Sequence, residues 1–225
     1  METPFIDLHT HHTYIDSGLY SYGIHPWNVD VECDMGLLEH LLEEGRLAAI
    51  GETGIDRIHQ GTLPLQFEIF EKHILLSEQY QKPLIIHNVK ATADLLRLHK
   101  KHQPRQTWII HGFNGSVEEV SQLTGCGCCL SVGDSLFYPN RKISKSISSI
   151  PLDDLFLETD TSEKTIQQIY EKASELLNLS IERLKEQIFT NFARLNLNVW
   201  KTGNNVPDCS SATMALRNLE RAMSW

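Results

Sequence analysis

Three histidines lie within four positions near the start of the chain, in the stretch FIDLHTHHT at 5–13. Side chains two positions apart in a β-strand point to the same side, so His9 and His11 can reach one metal ion while His12 faces away. Imidazole is a common ligand of zinc and of similar divalent ions. The spacing therefore predicts a ligand pair, although an HxH pair alone is a weak indication of a metal site.

Short runs rich in Ile, Leu and Val recur along the chain, and most of them end on a histidine or a carboxylate. The runs lie at 5–9, 19–25, 47–52, 84–88, 108–113, 128–133 and 155–160. The polar residues at their ends are His9, His11, His25, Glu52, His87, His111 and Asp160. Segments of helical period separate the runs, for example 65–80 and 91–102. This alternation predicts parallel strands with helices outside, and the carboxyl ends of such strands open onto one face of a barrel.

The length of 225 residues and the hydrophobic content of 41% allow one large domain with a buried core. We expect the barrel within 1–200 and an extension over 201–225, where SATMALRNLERAMSW has the capping serine and apolar spacing of a short amphipathic helix. The sequence shows neither the ~18 apolar residues of a membrane span nor a signal peptide pattern. These features predict a cytoplasmic protein without a membrane contact, and no segment indicates a stable protein partner.

Charge and cysteine content exclude some classes of protein. The formal net charge of −9 argues against a protein that coats nucleic acid non-specifically, although bound divalent cations could attract a phosphate substrate. The five cysteines are an odd number, which favours reduced thiols, and three of them crowd into GCGCC. A zinc-finger interpretation needs a second Cys or His pair at matching spacing, and none follows before Cys209. Small residues that pack a strand are therefore the preferred interpretation of this cluster.

Six motifs follow one another in a recognisable order: FIDLHTHH, YGIHP, IGETGID, LIIH, WIIHGFNGS and LFLETDT. In this order and strand context they resemble the TatD-related hydrolases, metal-dependent deoxyribonucleases of the amidohydrolase superfamily. The resemblance covers about residues 5–197 and ends at NFARLNL. It implies a TIM-type (β/α) barrel.

The resemblance also implies two divalent ions, Zn, Mn or Mg, and a role for each motif residue. The first ion would be held by His9, His11, Glu52 and Asp160, and the second by Glu52, His87 and His111. His25 in GIHP would bind substrate phosphate. The residues expected to support the ligands are Asp7, Asp56 and Glu158. Asp160, a carboxylate beside the metal and the attacking water, is the expected general base, and Glu52 is the second catalytic carboxylate.

Three departures from the family pattern concern the fold and the substrate. Fewer than a dozen residues separate HTHH from YGIHP, where the family inserts a further βα unit, so we expect a distorted or incomplete barrel of about seven strands. Val89 lies where the family favours arginine. The chain after Asp160 runs almost at once into a helix, with Thr161, Ser162 or both as its cap. A short lid and a less cationic site suit small or single-stranded substrates at least as well as duplex DNA.

The remaining histidines and one tryptophan have less specific interpretations. Surface or helix-face roles are expected for His12, His40, His59, His73, His99 and His102, none of which ends a strand in a motif. Trp27, directly after GIHP, could stack on a base at the rim of the site, although packing is the commoner role of an aromatic side chain.

The predicted function is metal-dependent hydrolysis of phosphodiester bonds by a water activated by two metal ions, with DNA ends, oligonucleotides or a small phosphoester as substrate. One alternative is hydrolysis of a small-molecule ester or amide, because the same water can attack a carbonyl. A phosphoesterase of the polymerase-and-histidinol-phosphatase type would need a late Asp-x-His pair, which the chain lacks. A non-catalytic binding barrel would have no evident use for the complete ligand set.

Overall fold

A computed structural model describes residues 3–12, 19–30, 34–195, 197 and 213–218. The strands are β1 (Phe5–Thr10), β2 (Leu19–Tyr22), β3 (Ala49–Asp56), β4 (Leu84–Val89), β5 (Trp108–Ile110), β6 (Cys129–Val132), β7 (Leu155–Leu157) and β8 (Thr213–Asn218). The α-helices are α1 (Met35–Glu43), α2 (Leu63–Tyr80), α3 (Thr92–His102), α4 (Val117–Gly125), α5 (Ile143–Ser146), α6 (Ile166–Leu177) and α7 (Ile181–Arg194). The seven strands expected before residue 200 and the helices expected near 65–80 and 91–102 are therefore confirmed.

The strands of the described residues form one parallel sheet in the order β1-β8-β2-β3-β4-β5-β6-β7. The sheet curves until its two outer strands meet, since Thr10 forms a parallel bridge with Asp160 just beyond β7. The Asp160 amide donates to the His9 carbonyl at 2.9 Å, and the His11 amide donates to the Asp160 carbonyl at 3.0 Å. The result is a nearly closed barrel of TIM type.

Apolar side chains fill the barrel and the space between the sheet and the helices. Every residue of β3 is buried, as a strand covered on both faces requires. Ile50 on β3, Ile86 on β4 and Leu130 on β6 are all fully buried. This core holds the carboxyl ends of the strands in fixed positions, and the histidines and carboxylates of the sequence motifs lie at those ends.

The eighth strand is the main difference from the sequence prediction. Residues 213–218, where we expected part of an amphipathic helix, form β8, which lies between β1 and β2. β8 pairs with both neighbours, and Leu216 is fully buried. The helix prediction was wrong here because two open strand edges offer backbone hydrogen bonds that outweigh the local helical spacing. The rest of the expected extension, apart from 213–218, lies outside the described residues.

The helix after the ETD motif begins later than expected. α6 starts at Ile166, and its cap is Thr165, whose hydroxyl accepts from the Gln168 amide while the Gln168 side chain accepts from the Thr165 amide. Thr161 and Ser162 therefore do not cap the helix. The reciprocal capping box fixes the start at Thr165 because it satisfies the Thr165 and Gln168 amides, which have no backbone partner at the start of the helix.

The sequence predicted no membrane span. Within the part of the chain that the structure describes, every helix is too short or too polar to cross a bilayer.

Removal of residues 201–225 should lower the thermal unfolding midpoint or cause aggregation, because it leaves the edges of β1 and β2 unpaired. Removal of 219–225 alone is the matched control, since it leaves β8 intact.

Leu216→Ala should lower the free energy of unfolding by about 2 to 5 kcal/mol through loss of a buried side chain. Thermal and urea unfolding with size-exclusion chromatography measure both effects, and equal stability of the full-length and 1–200 chains would contradict the role of β8.

Candidate active site

The Glu52 carboxylate lies at the centre of a cluster at the carboxyl ends of the strands. Its side chain is only 6% exposed. The nitrogens that face its two oxygens at 2.6 to 3.6 Å belong to His9, His11, His25, His87 and His111. These histidines come from four different strand ends, so the cluster depends on closure of the barrel.

One oxygen of Glu52 faces the ligand pair of β1. Glu52 Oε2 lies 3.4 Å from His9 Nε2 and 3.6 Å from His11 Nε2. Asp160 Oδ1 lies near the same nitrogens, 3.9 Å from His9 Nε2 and 3.5 Å from His11 Nε2. Two imidazoles and two carboxylates thus lie close together. The Asp160 side chain is 37% exposed, so this group is open to solvent on one side.

The other oxygen of Glu52 faces three histidines. Glu52 Oε1 lies 2.6 Å from His111 Nε2, 2.7 Å from His87 Nδ1 and 3.1 Å from His25 Nε2. His25 Nε2 is also 3.3 Å from His87 Nδ1. Glu52 therefore lies between two groups of donors, with one oxygen directed at each.

A close contact between β3 and β4 brings Glu52 and His87 together. Gly54 has a φ of +146°, and a Cβ atom at this position would lie 2.1 Å from the His87 carbonyl oxygen. Any other residue would push the strands apart. This contact explains why the GETG motif needs its second glycine.

Asp56 orients His87 and the rim of the site. Asp56 Oδ2 lies 3.3 Å from His87 Nε2, on the side of the ring away from Glu52, and accepts from Trp27 Nε1 at 2.8 Å. Asp56 Oδ1 accepts from the Ile58 amide at 2.8 Å. A carboxylate behind a histidine fixes the ring and its tautomer. The pKa of Asp56 is lowered: burial raises it, but the hydrogen bonds from Trp27, Ile58 and His87 outweigh that effect.

Glu158 lies behind His111, and Asp7 contacts the loop after β7. Glu158 Oε1 is 3.6 Å from His111 Nδ1 and accepts from the Gly112 amide at 2.5 Å. Asp7 was expected to support His9 and His11, but its hydrogen bonds come from the Thr159 amide at 2.9 Å and the Thr159 hydroxyl at 2.7 Å. Asp7 therefore holds the residue before Asp160. Burial raises the pKa of Asp7 to about 7 despite these hydrogen bonds.

The electrostatics of the cluster favour a positive charge beside Glu52. Burial alone would raise the pKa of Glu52, but His111, together with hydrogen bonds from His11, His111 and His25, lowers it well below its usual value. Burial would lower the pKa of His111, but the charges of Glu52 and Glu158 raise it well above its usual value. A buried anion of this kind needs a nearby cation.

The donors fit bound divalent metal ions. His9 is fully buried, and among the described residues its Nε2 has no hydrogen-bond partner, although two carboxylates lie within 4 Å. A buried nitrogen lone pair directed at carboxylates is stabilised by a cation between them. Nitrogen and oxygen ligands suit Zn²⁺ or Mn²⁺. The groups of side chains that could hold an ion here are His9/His11/Asp160, His9/Glu52/His111 and His25/Glu52/His87.

Two residues of α2 outside the strand-end motifs support the site: Gln66, and His73, for which a surface or helix-face role was expected. Gln66 Oε1 accepts from the Asp56 amide at 2.8 Å. His73 is fully buried: its Nδ1 lies 2.7 Å from the Ile69 carbonyl, and its Nε2 accepts from the Ile24 amide at 3.0 Å. His73 thus fixes the backbone next to His25. Neither residue lies in a strand-end motif, so this role follows only from the packing of α2 on β3 and on the chain after β2.

Comparison with protein families supports the motif assignment. The sequence profile described as TatD related DNase matches residues 7–196. Among curated proteins, the chain is similar to three that are named uncharacterized metal-dependent hydrolases. These are Escherichia coli YjjV (32% identity, 61% of this chain and 56% of YjjV), E. coli YcfH (27%, 80% and 74%) and Bacillus subtilis YabD (31%, 77% and 72%). The match spans little more than half the length of YjjV.

Solved structures share the fold. The crystal structure of E. coli YjjV, a TatD homologue, matches with a TM-score of 0.78 and 21% identity over 87% of this chain and 98% of that chain. The structure of a TatD family hydrolase from Entamoeba histolytica matches with a TM-score of 0.70 and 16% identity over the same shares. At these identities the likeness establishes the barrel fold.

The burial of His73 predicts a specific pH dependence of stability. Burial lowers the pKa of His73 to about 4, whereas the unfolded ring titrates near 6.5. The unfolded chain therefore takes up a proton as the pH falls from about 6.5 to 4, and the folded chain does not. The stabilisation from this residue is complete above pH 6.5 and declines by about 3 kcal/mol toward pH 4.

Urea unfolding between pH 4 and 7 tests this expectation. His73→Gln should be less stable than the wild type at pH 7, and the difference should shrink by about 3 kcal/mol toward pH 4. Groups that titrate in both proteins cancel in this difference. His40→Gln, at an exposed position of α1, is the control and should follow the wild type. A constant difference across this pH range would contradict a neutral, buried His73.

Proposed function

Because the chain belongs to the TatD related DNase family, we propose that it is a metal-dependent hydrolase that cleaves phosphodiester bonds. The observation that carries this proposal is the arrangement around Glu52, where one buried carboxylate separates two groups of nitrogen and oxygen donors. Carboxylates that bridge two metal ions are typical of enzymes that hydrolyse phosphate esters. We also propose how many ions bind, which residues hold them and which substrates are cleaved.

The proposed ligands divide between the two oxygens of Glu52. His9, His11 and Asp160 would hold one ion with Oε2, and their mutual distances of 3.4 to 3.9 Å suit donors around a single ion. His87 and His111 would hold the second ion with Oε1. Such ions, when bound, lower the pKa of a coordinated water and offset negative charge on phosphoryl oxygens.

Asp160 is proposed as the general base. It is the most exposed carboxylate of the cluster, at 37%, and hydrogen bonds to His9 and His11 on both sides fix its backbone. Its carboxylate can accept the proton of an attacking water that enters from solvent. Asp7 contributes indirectly, because its hydrogen bonds fix Thr159, the residue that precedes Asp160.

His25 is proposed to bind substrate phosphate. Its Nδ1 accepts from the Trp27 amide at 3.2 Å, so in the neutral ring the proton is on Nε2. In this tautomer the Nε2–H group donates hydrogen bonds, and it would bind a metal only after loss of that proton. The His25 Nε2–H group can donate to a phosphoryl oxygen of the substrate. It lies within 3.3 Å of both Glu52 and His87, and so next to the proposed second ion.

The rim of the site supports a single-stranded or small substrate. Trp27 is 53% exposed, and its indole nitrogen is bound to Asp56, so the ring is held in place beside His25. An exposed, fixed aromatic ring can stack on an unpaired base. We therefore propose oligonucleotides or unpaired DNA ends as substrates, with a small phosphodiester as the minimal one.

Asp160→Asn should lower the rate of hydrolysis by about 10² to 10⁴-fold, because asparagine cannot accept the proton of the attacking water. The fold should be preserved, since Asp160 has a φ of +52° and asparagine tolerates this conformation. The measurement compares bis-p-nitrophenyl phosphate, single-stranded DNA, duplex DNA and RNA, each with Zn²⁺, Mn²⁺ or Mg²⁺.

His40→Ala is the control for Asp160→Asn and should retain full activity, because His40 is exposed on α1. Normal turnover by a folded Asp160→Asn variant would exclude the proposed base. Absence of hydrolysis of every substrate by the wild type with each of the three metals would contradict the proposed function itself.

A further inference from the structure

A second cluster of metal-competent side chains lies at the opposite end of the barrel. His99 is in the last turn of α3, and Cys126 and Cys128 flank Gly127 in the turn between α4 and β6. The two sulfur atoms are 3.6 Å apart, and the donor atoms of the three residues all lie within 4.8 Å of one another. None of these residues belongs to the cluster around Glu52.

The local backbone places both thiols on one side of the turn. α4 ends at Gly125, and the Cys126 and Cys128 amides both donate to the Leu123 carbonyl, at 3.2 and 3.0 Å. Gly127 between them has a φ of +90°, a conformation that other residues rarely adopt. The sequence therefore forms a tight Cys-Gly-Cys turn, whereas Cys129 is the first residue of β6.

The spacing and the donors match those of a zinc site. Two sulfurs bound to one tetrahedral zinc at about 2.3 Å lie about 3.8 Å apart, close to the separation of Cys126 and Cys128. Two thiolates and one imidazole are ligands that favour zinc over the harder ions Mg²⁺ and Mn²⁺. We propose that His99, Cys126 and Cys128 form a zinc site separate from the active site.

Two of the three side chains make further contacts that limit their motion. The Cys126 thiol donates to the Leu123 carbonyl at 3.1 Å. The His99 ring packs edge-on against Trp108, with 5.0 Å between ring centres, and this contact limits its rotation.

The position of the cluster indicates a structural role for the zinc. Cys128 comes just before β6, so the site lies at the amino ends of the strands, away from the face where catalytic groups gather. Three protein ligands leave a fourth position for solvent, and both His99 and Cys126 are partly exposed. Bound zinc would tie α3 to the turn that leads into β6. This proposal does not depend on the proposed hydrolase activity.

Titration of the reduced protein with Co²⁺ tests the site. Thiolate ligands give Co²⁺ an intense near-ultraviolet charge-transfer band, which the nitrogen and oxygen donors around Glu52 cannot produce. The wild type should show this band once Co²⁺ is in excess of the three proposed ions per chain, and an excess of Zn²⁺ should abolish it. The band should disappear in Cys126→Ser and Cys128→Ser, and the affinity for Co²⁺ should fall about tenfold or more in His99→Ala.

Controls separate this site from the other cysteines. Cys129→Ala and the double variant Cys33→Ser/Cys209→Ser should keep the band, and Cys126→Ser should keep the wild-type hydrolase activity because the cluster is remote from Glu52. Circular dichroism verifies that each variant is folded. Absence of the band in the reduced wild type, or its persistence in folded Cys126→Ser and Cys128→Ser, would overturn the proposal.

Discussion

The carboxylate of Glu52 is the constraint on which the rest of the site depends. A buried anion is costly unless opposite charge or hydrogen-bond donors surround it, and here five histidine nitrogens do so. These rings come from different strands, so each must be held in place by its own neighbours. Asp56 lies behind His87 and Glu158 behind His111, and the backbone next to His25 is fixed by His73.

The second constraint is closure of the barrel. His9, His11 and Asp160 meet because the chain beyond β7 pairs with the end of β1, and β1 in turn needs a partner on its other edge. β8 supplies that partner and links β1 to β2. β8 lies far along the chain and beyond residues 7–196, which the family profile matches. It thus completes the sheet at the place where the βα unit of the family pattern is missing.

Much of the fold and of the site could be predicted from sequence because both follow from local patterns. Apolar runs predicted seven strands, and polar residues at their ends predicted which side chains would meet. β8 could not be predicted in this way, since the spacing of MALRNLERAM is helical and only the open edges of β1 and β2 favour a strand. The same limit applies to His73 and to the pairing of His99 with Cys126 and Cys128, which join elements far apart in sequence.

We propose that Glu52 bridges two ions while His25 faces the substrate. Calorimetric titration with Mn²⁺ tests it most directly, because Mn²⁺ prefers oxygen and nitrogen ligands and should not occupy the cysteine site. Two Mn²⁺ should bind per wild-type chain, both binding events should be lost in Glu52→Gln, and both should be retained in His25→Gln. Binding of Mn²⁺ by folded Glu52→Gln with the wild-type stoichiometry and affinity would contradict it.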